Sequence, residues 1–172
     1  MTKRRLALFA ATIAGILAVD QITKWLVRGA FEVGESRPII PDVLWLTHVR
    51  NTGAAFGMFK GQQWFLIAVA VVVLAVIAYV IHRVRPESPL AHAALAMIAA
   101  GTCGNLVDRV VSGGVTDFFD LGWFPVFNVA DISLDIGVAL LVWWLLFGTE
   151  HHHAPDAASA APGDMAACVA DE

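Results

Sequence analysis

The chain has 172 residues, of which 58% are hydrophobic and only 15% are charged. A soluble domain usually carries about 25% charged residues, so this composition excludes an ordinary soluble globule, a disordered chain and a nucleic-acid-binding protein. The formal net charge of −4 is misleading, because the C-terminal tail (residues 150–172) holds five of the 15 acidic residues and no Lys or Arg. The two cysteines, Cys103 and Cys168, provide no disulfide framework.

Four apolar segments predict transmembrane helices at residues 6–27, 64–81, 90–111 and 129–147. Each is long enough to cross about 30 Å of hydrocarbon as a helix. None alternates apolar and polar residues as barrel strands do. A cleaved signal peptide is the alternative for the first segment, but no clear small-residue cleavage site follows it. We therefore expect an all-α membrane protein with four spans, forming one domain over residues 1–149.

Basic residues predict the orientation of the spans. Lys3, Arg4 and Arg5 precede the first span, and Arg83 and Arg85 lie between the second and third. Because short cytoplasmic segments are enriched in Lys and Arg, both groups are expected on the cytoplasmic side. Four spans then return the C-terminus to that side, where the C-terminal tail is expected to be disordered.

Two segments are expected outside the membrane on the opposite face. Residues 28–63 contain a β-branched and aromatic run at 43–49, followed by a Gly-rich stretch at 51–57. This pattern predicts a small β-hairpin or cradle on the membrane surface. Residues 112–127 are expected to form a shorter outer loop.

Polar residues of three spans are predicted to lie at one height. With a rise of 1.5 Å per residue, Asp20, Asn105, Asp108 and Asp131 lie about 21–27 Å from the cytoplasmic ends of their helices. Asp117, in the outer loop, is within reach of the same layer. Because charged residues inside a span are costly, they indicate a functional site.

Two aspartates that face each other can share one proton, because close like charges do not both ionise readily. The ionised carboxylate can take a proton from water while the protonated one stabilises a scissile carbonyl. A serine–lysine hydrolase would need a serine near Lys24, and none lies near it in the sequence. A thiol hydrolase would need a histidine beside Cys103, but the nearest in the sequence, His92, is about three helical turns away. The histidines show no metal-ligand spacing. The residues therefore favour hydrolysis by aspartates, with no metal or other cofactor.

Two other classes of protein stay open at this point. A small proton-coupled transporter would also carry carboxylates inside the membrane, although it would place them near the midplane and on broken helices. A non-enzymatic assembly factor could use the same polar layer only for packing. Only a hydrolase would release a peptide fragment from a substrate, so a cleavage assay would separate it from the other two classes.

Five motifs occur in order along the chain and are specific as a set. They are Asp20-Gln-Ile-Thr-Lys24, Asn51-Thr-Gly-Ala-Ala-Phe-Gly57, Gly101-x-x-Gly104-Asn105-Leu-Val-Asp108-Arg109, Val115-Thr-Asp117-Phe118-Phe-Asp120 and Phe127-Asn128-Val-Ala-Asp131. Together with the four spans, they resemble the lipoprotein signal peptidases (signal peptidase II) over most of residues 6–148. The C-terminal tail lies outside the resemblance.

The resemblance implies an aspartyl endopeptidase of the bacterial cytoplasmic (inner) membrane, with its active site near the outer face. Such an enzyme removes the signal peptide of a prolipoprotein just before a cysteine that carries diacylglycerol. The family's catalytic pair falls on Asp117 and Asp131. Its substrate-lining polar residues fall on Asn51, Asn105, Arg109 and Asn128.

The other polar residues of the layer have expectations of their own. Asp20, Lys24 and Asp108 are expected to support the site structurally, the first two as a helical ion pair. Asp135, one turn after Asp131, departs from the family's pattern and either perturbs the pair or is itself paired. We expect a monomer in contact with membrane lipids and the prolipoprotein.

Overall fold

The structure is a computed structural model that describes residues 3–53 and 58–148. The predictions for the C-terminal tail, for Cys168 and for motif residues 54–57 lie outside the described residues. The elements in chain order are α1 (Lys3–Ala30), β1 (Ser36–Ile40), β2 (Leu44–Asn51), α2 (Gln63–Tyr79), a π-helical turn (Val80–Val84), α3 (Pro89–Ser112), β3 (Val115–Asp120) and α4 (Val129–Phe147).

The four predicted spans are confirmed as four helices that are long and apolar enough to cross a membrane. In all of them except the central helix α3, most of the surface is apolar and exposed, as Trp25, Val72 and Leu146 illustrate. Such a surface is suited to lipid rather than to water. The first helix is longer than predicted at both ends, because its polar and charged flanking residues continue the helical turns beyond the apolar run.

Helix α3 lies at the centre of the bundle and packs against the other three helices. Its buried residues are mostly Ala, Gly and other small side chains, which allow helices to approach closely. A Cβ on Gly101 would overlap the carbonyl oxygen of Ala130, and one on Gly137 would lie 2.8 Å from Ile98. These glycines therefore set the close contact between α3 and α4.

Two helix starts near the membrane surfaces carry side-chain caps. The Ser88 hydroxyl accepts a hydrogen bond from the Ala91 backbone N–H, and Pro89 occupies the first turn of α3. Asn128 and Asp131 form a reciprocal capping box at the start of α4. Each cap satisfies a backbone group that hydrocarbon could not.

The residues expected to form a cradle and a loop make one antiparallel sheet in the order β1-β2-β3. The expectation that residues 112–127 are only a loop is wrong, because β3 pairs with β2 and aligns Val49 with Asp117. Edge strands leave backbone groups unpaired, and β3 satisfies those of β2. The pairing fixes Asp117 on a strand rather than on a flexible turn.

Candidate active site

A cavity of about 410 Å³ opens between the sheet and the outer halves of α2, α3 and α4. Asp117 from β3 and Asp131 from α4 both line it. Leu66, Val69 and Val73 of α2 form an apolar part of its wall. The fold therefore brings the two predicted aspartates to one cleft that is polar at one end and apolar along its side.

Asp117 is almost completely buried, with 2% of its surface exposed. Its two carboxylate oxygens accept hydrogen bonds from different amides, Asn51 Nδ2 at 2.9 Å and Asn128 Nδ2 at 2.6 Å. These bonds come from β2 on one side and from the start of α4 on the other. The carboxyl group is consequently held in one orientation towards the cavity.

Asp131 lies in the first turn of α4 and is half-buried. One of its oxygens accepts a hydrogen bond from Asn105 Nδ2 at 2.7 Å, and the other accepts one from the Asn128 backbone N–H at 3.1 Å. The helix dipole favours a negative charge at this position. Asp131 therefore caps its helix and faces the cavity at the same time.

Asn128 connects the two aspartates. Its amide nitrogen donates to Asp117, its amide oxygen accepts from the Asp131 backbone N–H, and its own backbone N–H donates to the Asp131 carboxylate. The side chain is fully buried and does not line the cavity. The structure thus does not bring Asn128 to the place where it was expected to contact substrate, because its amide is used to hold the carboxyl groups.

The protonation of Asp117 follows from this environment. Burial away from water, followed by the charge of the nearby Asp131, raises the pKa of Asp117 to about 7. The hydrogen bonds from Asn51 and Asn128 act in the opposite direction. Asp117 is therefore partly protonated at neutral pH, as a carboxyl group that shares a proton would be.

A buried ion network lies directly behind the aspartates. Lys24 is fully buried, and its Nζ lies 2.9 Å from the Asp20 carboxylate, 3.2 Å from Asp108 and 3.0 Å from Asn105 Oδ1. The predicted ion pair between Asp20 and Lys24 is thus present, but it belongs to a larger set. Asn105 links this network to Asp131.

Asp108 holds β3 against the helices. Its carboxylate accepts a hydrogen bond from the Thr116 backbone N–H at 3.0 Å, next to Asp117 in the strand. Arg28 reaches both Asp108 at 3.5 Å and Thr116 Oγ1 at 3.1 Å. Neither Arg28 nor Thr116 was predicted as a site residue. Both lie close to the end of a helix or strand and close in the sequence to residues of the polar layer, which could have indicated them.

Arg109 lines the cavity and points towards backbone carbonyl groups. Its guanidinium donates to the carbonyl oxygens of Gly53 at 3.2 Å and Asn105 at 3.4 Å. Asn51 and Asn105 also line the cavity. Among the described residues, no group of three or more His, Cys, Asp or Glu side chains could hold a metal ion.

Comparisons with known proteins point to one family. A model of the family "Signal peptidase (SPase) II" matches residues 12–147. The lipoprotein signal peptidase of Shouchella clausii is 46% identical over 128 residues, which are 74% of this chain and 85% of that protein. That of Geobacillus thermodenitrificans is 43% identical over 147 residues, which are 83% of this chain and 92% of that protein.

Structural comparison gives the same result. The fold matches a solved structure of a bacterial membrane enzyme with a TM-score of 0.81 and 32% sequence identity, covering 86% of this chain and 92% of that one. The family match covers most of α1, the other three helices, the sheet and all five motifs. The chain therefore belongs to the signal peptidase II family of aspartic peptidases, the lipoprotein signal peptidases.

Proposed function

We propose that the chain cleaves a prolipoprotein at the peptide bond before its diacylglyceryl-cysteine, with Asp117 and Asp131 as the catalytic pair. The observation that carries this proposal is that both carboxyl groups line one cavity and are joined by a single residue, Asn128. Within the described ranges, neither carboxylate is neutralised by an ion pair with Lys or Arg.

The two aspartates have different roles in this mechanism. Asp117, with its pKa raised to about 7, carries the shared proton, because burial disfavours its charge. Asp131 takes the ionised role in this proposal, because two close carboxyl groups do not both ionise readily and because a helix start favours the negative charge. The ionised group acts as general base, and the protonated one donates to the scissile carbonyl.

The reaction then balances without an added group. Asp131 takes a proton from water as the water oxygen attacks the carbonyl carbon, and Asp117 gives its proton to the carbonyl oxygen. In the second step the C–N bond breaks, Asp131 gives its proton to the leaving amine, and the new hydroxyl returns a proton to Asp117. The products are the signal peptide carboxyl group and the free amine of the lipidated cysteine.

The apolar wall of the cavity supports entry of the substrate from the bilayer. Val69, Ala70 and Val73 face the cavity from α2, and Leu134 faces it from α4. A signal helix and its acyl chains can stay in hydrocarbon beside these residues while the scissile bond reaches the aspartates. Arg109 is proposed to bind substrate carbonyl groups, since its planar fork matches them.

The supporting residues divide into two sets. Asn51, Asn105 and Asn128 are positioning residues that orient the carboxyl groups, and the first two also border the substrate. Asp20, Lys24 and Asp108 fix the helices behind them. The whole protein is proposed to lie in the bacterial cytoplasmic membrane as a monomer, with both termini inside and the catalytic pair near the outer face, because its short basic segments lie at the other end.

The test is release of signal peptide from a purified, diacylglyceryl-modified prolipoprotein. The wild-type protein should release the peptide, and Asp117→Asn should not. Asp120→Asn is the matched control, because Asp120 lies in the same strand but bonds Thr47 and the Gly122 backbone outside the cavity. Substantial release by Asp117→Asn would contradict the proposed mechanism, and no release by the wild type would contradict the proposed substrate.

A further inference from the structure

A second polar layer lies in the same cavity, one helical turn deeper in the membrane than the aspartate pair. It consists of Thr102 on α3 and Asp135 on α4, both of which line the cavity. Thr102 precedes Asn105 by three residues, and Asp135 follows Asp131 by four. Because Asn105 and Asp131 are hydrogen-bonded across antiparallel helices, their neighbours one turn deeper share the same side of the cleft.

Neither of these side chains has a hydrogen-bond partner within the described part of the chain. Thr102 is only 7% exposed, and its hydroxyl is the one buried side-chain polar atom there without a partner. No hydrogen bond or ion pair between described residues involves the Asp135 carboxylate, which is exposed at the cavity. Unpaired polar groups at membrane depth are costly unless a ligand satisfies them.

We propose that Thr102 and Asp135 form a subsite that binds a hydroxyl-bearing side chain of the signal peptide. This inference rests on the proposed function, because it needs the scissile bond at Asp117 and Asp131. Four residues of helix place Asp135 about 6 Å deeper than Asp131. An extended peptide covers about 3.3 Å per residue, so the subsite faces the second residue before the scissile bond.

A hydroxyl group fits this subsite better than a cation does. A signal peptide must first reside in the bilayer, where a Lys or Arg side chain is far more costly than Ser or Thr. The Asp135 carboxylate can accept the hydroxyl proton, and the Thr102 hydroxyl can donate to or accept from the same oxygen. The subsite therefore favours Ser over an apolar residue of similar size at that substrate position.

Two lipid-modified substrates that differ only in Ser or Ala at this position test the proposal. The wild type should cleave the Ser substrate with kcat/KM about tenfold higher than the Ala substrate, the range of one hydrogen bond to a charged group. In Asp135→Leu and in Thr102→Val, the ratio of the two kcat/KM values should fall towards one. Asp135→Asn keeps an acceptor and should retain part of the preference.

Ser133→Ala is the matched control, because its hydroxyl is buried in α4 but donates to the Met97 carbonyl oxygen and does not line the cavity. It should keep the tenfold ratio. A wild-type ratio near one, or a ratio that Asp135→Leu leaves unchanged, would overturn the subsite.

A binding assay tests the subsite independently of the proposed function. With Asp131→Asn as a non-cleaving background, the Ser substrate should bind about tenfold more tightly than the Ala substrate, and adding Asp135→Leu should remove the difference. Equal binding of both substrates would overturn the subsite even if cleavage occurs as proposed. Cleavage by Asp117→Asn would contradict the proposed catalytic pair. The ratio of the binding affinities of the Ser and Ala substrates would still test the subsite.

Discussion

The buried ion network and the cavity face are neighbouring regions that hold their carboxylates with different kinds of partner. In the network, Asp20 and Lys24 are 0% exposed and Asp108 is 2% exposed, and each has at least two partners. At the cavity face (Asp117, Asp131 and Asp135), Asp117 is 2% exposed and Asp131 is half-buried, and both accept hydrogen bonds from neutral amide groups instead of cations. Asp135 is exposed with no partner among the described residues. Asn105 is the residue that joins the two regions.

This difference indicates how one polar layer can serve both stability and chemistry. A buried charge that is fully paired fixes the geometry around it, but it has no capacity left for a substrate or for water. A charge that faces a cavity can still exchange a proton or bind a ligand. Substitutions in the network should therefore lower stability, and substitutions at the cavity face should lower activity.

Asp131→Asn should give the largest effect on activity. We expect turnover of a diacylglyceryl-modified prolipoprotein to fall about 10³-fold, because the general base is lost. The thermal unfolding midpoint should fall only slightly, since the Asn side-chain oxygen can still accept the Asn128 backbone N–H and only the hydrogen bond from Asn105 is lost. A large fall in the unfolding midpoint would place Asp131 with the structural network instead.

Lys24→Met should have the opposite profile. Removing this cation takes away the ion-pair partner of Asp20 and leaves Asp108 with Arg28, so we expect a loss of about 3–5 kcal/mol in unfolding free energy. Chemical or thermal unfolding in detergent measures this loss. The double variant Asp20→Asn with Lys24→Met should regain part of it, and no regain would argue against the buried pair as the cause.

The pH dependence of cleavage should follow the protonation of Asp117 at the cavity face and should not involve the buried ion network. The pKa of Asp117 is raised from 3.8 to about 7, so its proton is present below that pH and is lost as the pH rises through it. If the protonated form is the active one, kcat/KM should fall about tenfold per pH unit above about pH 7. The control variant Asp120→Asn should show the same fall in kcat/KM as the pH rises. A kcat/KM that stays constant from about pH 6 to 9 would contradict the assignment.

Much of this architecture could be predicted from the sequence because it depends on local periodicity. The lengths of the apolar runs located all four helices, and the rise per residue alone was enough to place Asp20, Asn105 and Asp131 at one height. The cap formed by Asn128 also follows from its position before α4. These features depend on residues close together in the chain.

The remaining features depend on contacts between distant segments. The pairing of Val49 with Asp117 joins residues 68 positions apart, and no short pattern marks 115–120 as the partner of β2. The approach of Arg28 to Asp108 depends on how α1 and α3 are rotated about their axes. The proposed subsite at Thr102 could not be predicted, because only the folded structure shows that the buried Thr102 hydroxyl has no hydrogen-bond partner among the described residues.

Gly104→Ala should give the smallest effect and shows how closely the two regions are packed. A Cβ at this position would lie 2.5 Å from Asp20 Oδ2 and 3.1 Å from Ala130 Cβ. The Asp20 carboxylate must then move away from the Ala130 backbone N–H, from which it accepts a hydrogen bond at 2.9 Å. We expect a loss of about 1–3 kcal/mol in unfolding free energy.

Gly15→Ala provides the control for helix propensity. Gly15 lies in α1, and no atom of the described residues outside its own helix turn would come within 4 Å of an added Cβ. Ala should therefore be neutral or stabilise the helix by about 0.5–1 kcal/mol. If Gly104→Ala lowers the unfolding free energy and Gly15→Ala raises it in the same detergent, the Gly104 effect would come from contact with the ion network. If both substitutions change the unfolding free energy in the same direction, the Gly104 effect would be a property of the helix itself. The ion network would then not be coupled to the packing of α4 through this residue.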